Sequence, residues 1–238
     1  MRYSALACDY DGTLATEGMV PAPVLEALRD LRRSGRTLLL VTGRLQDDLV
    51  KVFPDYPLFS RLVLENGAVI FRPDTGATRA LAGHPPDAFV RRLKDLGVDP
   101  LVRGEVIVAT RRPHETTVLE VIRELGLAMQ VIFNKGAVMV LPTGITKAVG
   151  LDAALRELAT SPDAVVGVGD AENDLDFLER VGFSVGVANA LPSLKERVDD
   201  VTREPEGAGV IEVIRRMLAD DIAAGTGGPG RLPKEMQS

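Results

Sequence analysis

The chain has 238 residues, enough for one or two domains, and its 45% hydrophobic and 26% charged content is that of a folded globular protein. Twenty-eight basic against 34 acidic side chains give a net charge of −6, which disfavours a broad basic face for nucleic acid. Trp is absent, so aliphatic side chains must fill the core; the single cysteine, Cys8, excludes an internal disulfide and a multi-cysteine metal site, and no apolar run reaches the roughly 18 residues of a membrane span.

Residues 4–8 form a short apolar run that ends in acids, the pattern of a buried strand. Val24, Leu25, Leu28 and Leu31 recur at helical spacing, and Gly35 follows as a stop signal. Residues 37–41 and 61–64 are the next two buried strands. Residues 68–71 and 78–81 flank Pro73-Asp74-Thr75-Gly76 and predict a hairpin. A different rhythm follows: helix 86–96, strands 101–103 and 105–110, helix 113–125, strands 129–134 and 137–141, the last two joined by the tight-turn pair Lys135-Gly136. This αββαββ run predicts an α+β domain over residues 82–141, an antiparallel sheet with helices on one face, inserted into the first domain. Residues 164–168 and 183–187, both bounded by glycines, return to the buried-strand pattern. Buried strands separated by helices imply an α/β fold, a doubly wound, Rossmann-like parallel sheet over residues 1–81 and 142–224. The Gly/Pro-rich, polar stretch 225–238 reads as a flexible tail.

Three polar motifs follow predicted strands. Asp9-Tyr10-Asp11-Gly12-Thr13 comes directly after the first. In an open α/β sheet, ligands bind beyond the carboxyl ends of the strands. Gly12 permits a turn that would bring Asp9 and Asp11 to one crevice, although a solvated acidic loop would look the same. Thr42-Gly43-Arg44 ends the second strand at the same edge. A hydroxyl, an amide beside glycine and a guanidinium make an anion cradle, with a helix-capping Thr as the plainer alternative. Gly169-Asp170-Ala171-Glu172-Asn173-Asp174 follows the strand at 164–168 and adds further acids. Clustered carboxylates repel and call for a hard cation, and all-oxygen ligands suit Mg²⁺ better than zinc. Lys147 opens an apolar helical segment after Gly144 and is placed to offset that charge.

Together, D-x-D-G-T, T-G-R, Lys and G-D-x-x-N-D in this order resemble the haloacid dehalogenase-like (HAD) phosphohydrolase superfamily, over roughly residues 1–218. Thirty residues separate Asp11 from Thr42, but 104 separate Thr42 from Lys147. An insert at the second place, with αββαββ order, resembles the branch with a type-two B cap (subfamily IIB, Cof-type). That branch includes sugar phosphatases, archaeal phosphoglycolate phosphatases and phosphomannomutases. Glu65-Asn66-Gly67-Ala68, Asn134-Lys135-Gly136 and Val187-Ala188-Asn189-Ala190 are similar to its segments.

The resemblance implies a role for each matching residue. Asp9 is the nucleophile that takes the phosphoryl group, and Asp11 the general acid, then base. Carboxylates of Asp9 and Asp170 hold Mg²⁺ with the Asp11 backbone carbonyl; Asp174 supports the metal site or Lys147. Thr42 and Lys147 bind phosphoryl oxygens, while Gly12, Gly43, Arg44, Asn66 and Asn173 contact phosphate or substrate. Asp9 must be ionised and Asp11 protonated, and a neighbouring negative charge is expected to favour the protonated Asp11.

The implied activity is Mg²⁺-dependent hydrolysis of a small phosphorylated metabolite (a sugar phosphate, phosphoglycolate or phosphoglycerate type) through an aspartyl phosphate. A phosphomutase or other phosphotransferase would use the same intermediate, and a phosphatase-like domain of a larger polypeptide the same motifs. A phospho-receiver module also gathers acids, Thr and Lys around Mg²⁺, but in another motif order. Arg103, Arg111, Arg112 and Lys135 are the insert's candidates to meet a substrate acid, though a solvated surface explains most of them. Two acids within residues 1–11 argue against a signal peptide. A cytoplasmic monomer or weak homodimer, with no nucleic-acid or membrane partner, is expected.

Overall fold

The computed structural model describes residues 1–134 and 136–222; Lys135 and the predicted tail at 225–238 lie outside the described residues. Strands covered on both faces read as continuous apolar runs. β1 (Ala5–Cys8), β2 (Thr37–Val41) and β3 (Arg61–Leu64) are such runs, joined by α1 (Ala22–Arg33) and α2 (Gln46–Val52). The stripe Val24, Leu28 and Leu31 buries α1 against the sheet. A hairpin of β4 (Val69–Arg72) and β5 (Ala77–Ala80) adds antiparallel to β3.

The chain then builds a second sheet. α3 (Asp87–Asp95), β6 (Val102–Arg103), β7 (Val108–Arg111), α4 (Glu115–Glu124), β8 (Met129–Asn134) and β9 (Ala137–Pro142) follow in that order. The strands pair antiparallel in the order β6-β7-β9-β8 and form a cap-like layer. Phe89, Leu93, Val118 and Val121 of the two helices pack on Val108, Val138 and Val140 in a small core of its own. The predicted strand at 105–110 begins only at Val108. The amides of Glu105, Val106 and Ile107 turn instead to the Glu65 carboxylate.

α5 (Lys147–Glu157) returns to the first sheet, followed by β10 (Val165–Gly169), α6 (Leu175–Leu178), β11 (Phe183–Gly186), α7 (Pro192–Lys195), β12 (Asp200–Val201) and α8 (Glu206–Asp220). β12, only two residues long, carries no pattern that could predict it. The full order is β12-β11-β10-β1-β2-β3-β4-β5, parallel from β12 to β3. Leu6 and Leu38–Leu40 are fully buried in it; each such side chain contributes about 1.5–3 kcal/mol. β1 lies between β2 and β10, where the strand order reverses. Such a switch point opens a crevice at the carboxyl ends of its strands.

Candidate active site

β1, β2 and β10 end at one edge of the sheet, and the residues that follow them are Asp9, Thr42 and Asp170, all buried. Thr146 caps α5, its hydroxyl accepting from the Val149 amide, so that Lys147 is the first helical residue. Lys147 Nζ donates to Asp9 Oδ1 at 2.6 Å and also to Asp174 Oδ1. Asp174 Oδ2 accepts from the amides of Asp170 and Ala171 at 3.0 and 2.9 Å. Thr13 Oγ1 donates to Asp170 Oδ1 at 3.0 Å. The other Asp9 oxygen, Oδ2, has no donor among the described residues.

Asp9, Asp170 and Asp174 carry oxygens within 4.8 Å of one another, against the single ammonium of Lys147. Burial, then the charge of Asp174, pushes the Asp9 carboxyl up to about 8 despite Lys147. Burial opposes the Lys147 charge, but Asp174 and Asp9 outweigh it and raise its pKa. An all-oxygen set with surplus negative charge fits a hard divalent cation and lacks the nitrogen and sulfur ligands of a structural zinc site.

Asp11 faces elsewhere. Arg44 Nε and Nη2 grip its two oxygens, each at 2.7 Å, while Nη1 takes Asp48 at 2.6 Å. The guanidinium lies 5.1 Å from the Tyr10 ring centroid. The hydrogen bond to Asp11 raises the Arg44 pKa. Arg44 thus bridges Asp11 and Asp48, and the guanidinium expected in an anion cradle is taken up by two acids. The local cause is sequence spacing: α2 places Asp48 one helical turn beyond Arg44. Gly12 turns the motif at a φ of 86°, and its carbonyl accepts from Asn189 Nδ2 at 2.8 Å.

Thr42 is no helix cap, because α2 starts at Gln46. Its Oγ1 accepts from the Arg44 amide at 3.2 Å, and its own proton has no acceptor among the described residues. A Cβ at Gly43 would come within 3.2 Å of the Asn66 side chain, so glycine leaves room for that amide. Asn66 Oδ1 accepts from Asn173 Nδ2 at 3.0 Å, and Asn66 Nδ2 reaches Met139 Sδ of β9 at 2.9 Å. Asn173 Oδ1 is buried without a partner among the described residues.

A cavity of about 400 Å³ lies here, lined by Asn66, Lys147 and Asn173 on the core side and by Val131, Ile132 and Phe133 of β8. Arg112 packs over the Phe133 ring at 5.8 Å. Arg103 instead pairs with Asp87 at 2.7 Å, beside a separate cleft, and Arg111 is exposed. Sequence reasoning gave no role to Thr13 or Glu65. The fixed place of Thr13 in its motif is a usable signal, and for Glu65 the signal is the segment Glu65-Asn66-Gly67-Ala68.

The chain matches the haloacid dehalogenase-like hydrolase family over residues 6–96 and 131–214. The chain belongs to that family. It is 30% identical to the phosphoglycolate phosphatase of Methanothermobacter thermautotrophicus over 90% of this chain and 98% of the relative. It is 32% identical to that of Haloarcula marismortui over 88% and 95%. A solved HAD subclass IIB sugar phosphatase superposes with a TM-score of 0.72 at 18% identity, over 90% of this chain and 98% of the other. The scaffold is thus that of the HAD phosphatases. No helix among the described residues is long and apolar enough to cross a membrane.

Proposed function

We propose that the protein is a Mg²⁺-dependent phosphomonoesterase that hydrolyses a small phosphorylated acid of the phosphoglycolate type through an aspartyl phosphate on Asp9. The observation that carries this reading is the state of Asp9: buried, one oxygen held by Lys147, the other without a donor among the described residues. That second oxygen attacks phosphorus and displaces the metabolite's alkoxide. Lys147 and the Thr42 hydroxyl meet the phosphoryl oxygens, where charge develops. Asp11 leaves Arg44, takes up a proton from solvent, gives it to the departing oxygen and then takes a proton from the water that cleaves the acyl phosphate. Carboxylates of Asp9 and Asp170 and the Asp11 carbonyl would hold Mg²⁺, with Asp174 beside them. When bound, the ion supplies charge neutralisation at the phosphoryl group.

The substrate class rests on two supports. A cavity of about 400 Å³ suits a small metabolite, and the Arg112 guanidinium lies over the ring of the lining residue Phe133. Relatives covering about nine-tenths of the chain bear the name phosphoglycolate phosphatase. The test is inorganic phosphate release over a panel of phosphorylated metabolites with Mg²⁺, followed by trapping of label on Asp9. Phosphoglycolate is expected to rank first. Isomer formation without phosphate release would instead mark a phosphotransferase.

A further inference from the structure

The loop joining β3 to β4 runs through Glu65, Asn66 and Gly67 at φ of 51°, 53° and 99°, left-handed values that Asn and Gly tolerate but that are uncommon for Glu. Its backbone rests on the end of β2: the Glu65 amide donates to Arg44 O and the Asn66 amide to Thr42 O, each at 3.1 Å. A Cβ on Gly67 would stand 1.9 Å from Thr146 O, so the start of α5 sits directly on this glycine. Asn66 bonds Asn173 on one side and Met139 of the cap on the other. Three residues thus touch the Thr42 turn, the Lys147 helix, the Asn173 loop and the cap.

Glu65 makes the larger cap contact. Its carboxylate is 4% exposed and accepts from three successive cap amides, Glu105, Val106 and Ile107, each at 2.9 Å. These donors have left the strand ladder, and only an acceptor-only group can take all three. The cap side is shaped to match. A Cβ on Gly104 would lie 2.7 Å from both Glu65 carboxylate oxygens and 2.6 Å from Leu45 Cδ2.

We propose that Glu65 is a positioning residue that seats the cap on the core, holding β8 over the cavity so that the leaving group is fixed beside Lys147 and Asn173. The kinetic part of this rests on the phosphatase reading and deepens it: Glu65 governs discrimination by leaving group without touching the substrate. Glu65→Gln keeps the shape but turns an NH₂ group toward the cap amides.

The experiment combines residue-resolved hydrogen exchange and kinetics on the full chain. In Glu65→Gln, exchange at amides 105–107 is expected to accelerate about tenfold or more, with β1, β2 and β10 unchanged. kcat/KM for phosphoglycolate is expected to fall about 10- to 100-fold through misplacement, while acetyl phosphate, whose activated leaving group needs no cap contact, falls less than about threefold. Gly104→Ala disturbs the same contact from the cap side and should reproduce both effects, and the double variant should be no worse than the poorer single one. It also carries the test if Glu65→Gln fails to fold. Unchanged exchange at 105–107 overturns the seating role, and equal losses on both substrates overturn the positioning role. Should the wild type hydrolyse neither compound, the phosphatase reading fails, and the exchange result still decides the seating.

Discussion

Lys147 carries the charge balance of the site. Its ammonium bonds two buried carboxylates and is itself 2% exposed. Lys147→Ala is expected to lower kcat on the order of 10²-fold or more, as for loss of one preorganised donor. It also strands Asp9 and Asp174, which should destabilise the metal-free protein by about 3–5 kcal/mol, measurable by urea unfolding in chelator. The two motif aspartates should separate cleanly. Asp9→Asn is expected to give neither phosphate nor phosphoenzyme. Asp11→Asn keeps Asp9, the proposed nucleophile, so alkyl substrates should slow by about 10²- to 10⁴-fold while an aryl phosphate leaves labelled Asp9 behind on rapid quenching. The motif residues were legible because each directly follows a strand end. The Arg44–Asp11 pair was not, since a contact between side chains 33 positions apart leaves no periodic trace.

At the scale of elements, Gly67 fixes where α5 begins. Gly67→Ala meets both a φ of 99° and a backbone oxygen 1.9 Å away. The strain alone costs about 1–3 kcal/mol, and relief of the clash moves the helix that delivers Lys147. Stability and activity should therefore fall together. Gly35→Ala is the control: its φ is 88° with nothing within 4 Å, so denaturation should detect the strain while phosphate release holds. Apolar runs such as Thr37–Val41 made the parallel strands readable, and helical spacing did the same for α1. Residues 105–107 carry the β-branched Val106-Ile107 pattern of a strand but do not form one. What ends the ladder is a carboxylate 40 residues earlier, which periodicity cannot register.

For the whole molecule, the surplus negative charge at the sheet edge predicts strong linkage between metal and stability. EDTA should abolish turnover and Mg²⁺ restore it, with Ca²⁺ a poor substitute because of its larger, looser coordination. At a free concentration 100-fold above its Kd, Mg²⁺ should add about 2.7 kcal/mol to unfolding stability, readable as a rise in Tm. Asp170→Asn should reduce that rise.

The central place of β1 bears on how the protein is made. Ala5 pairs with Thr37 on one side and with Val165 on the other, so one neighbour emerges 32 residues later and the second 160 residues later. On a ribosome adding about 5–20 residues per second, the edge of β1 destined for β10 stays open for roughly 10–30 s, through the synthesis of the whole cap. An unpaired apolar edge recruits other strands. A chain cut after residue 160 is expected to aggregate on dilution from denaturant where residues 1–222 refold, a contrast that light scattering would register. The strand that leads into Asp9 is thus the one whose nascent form most needs shielding.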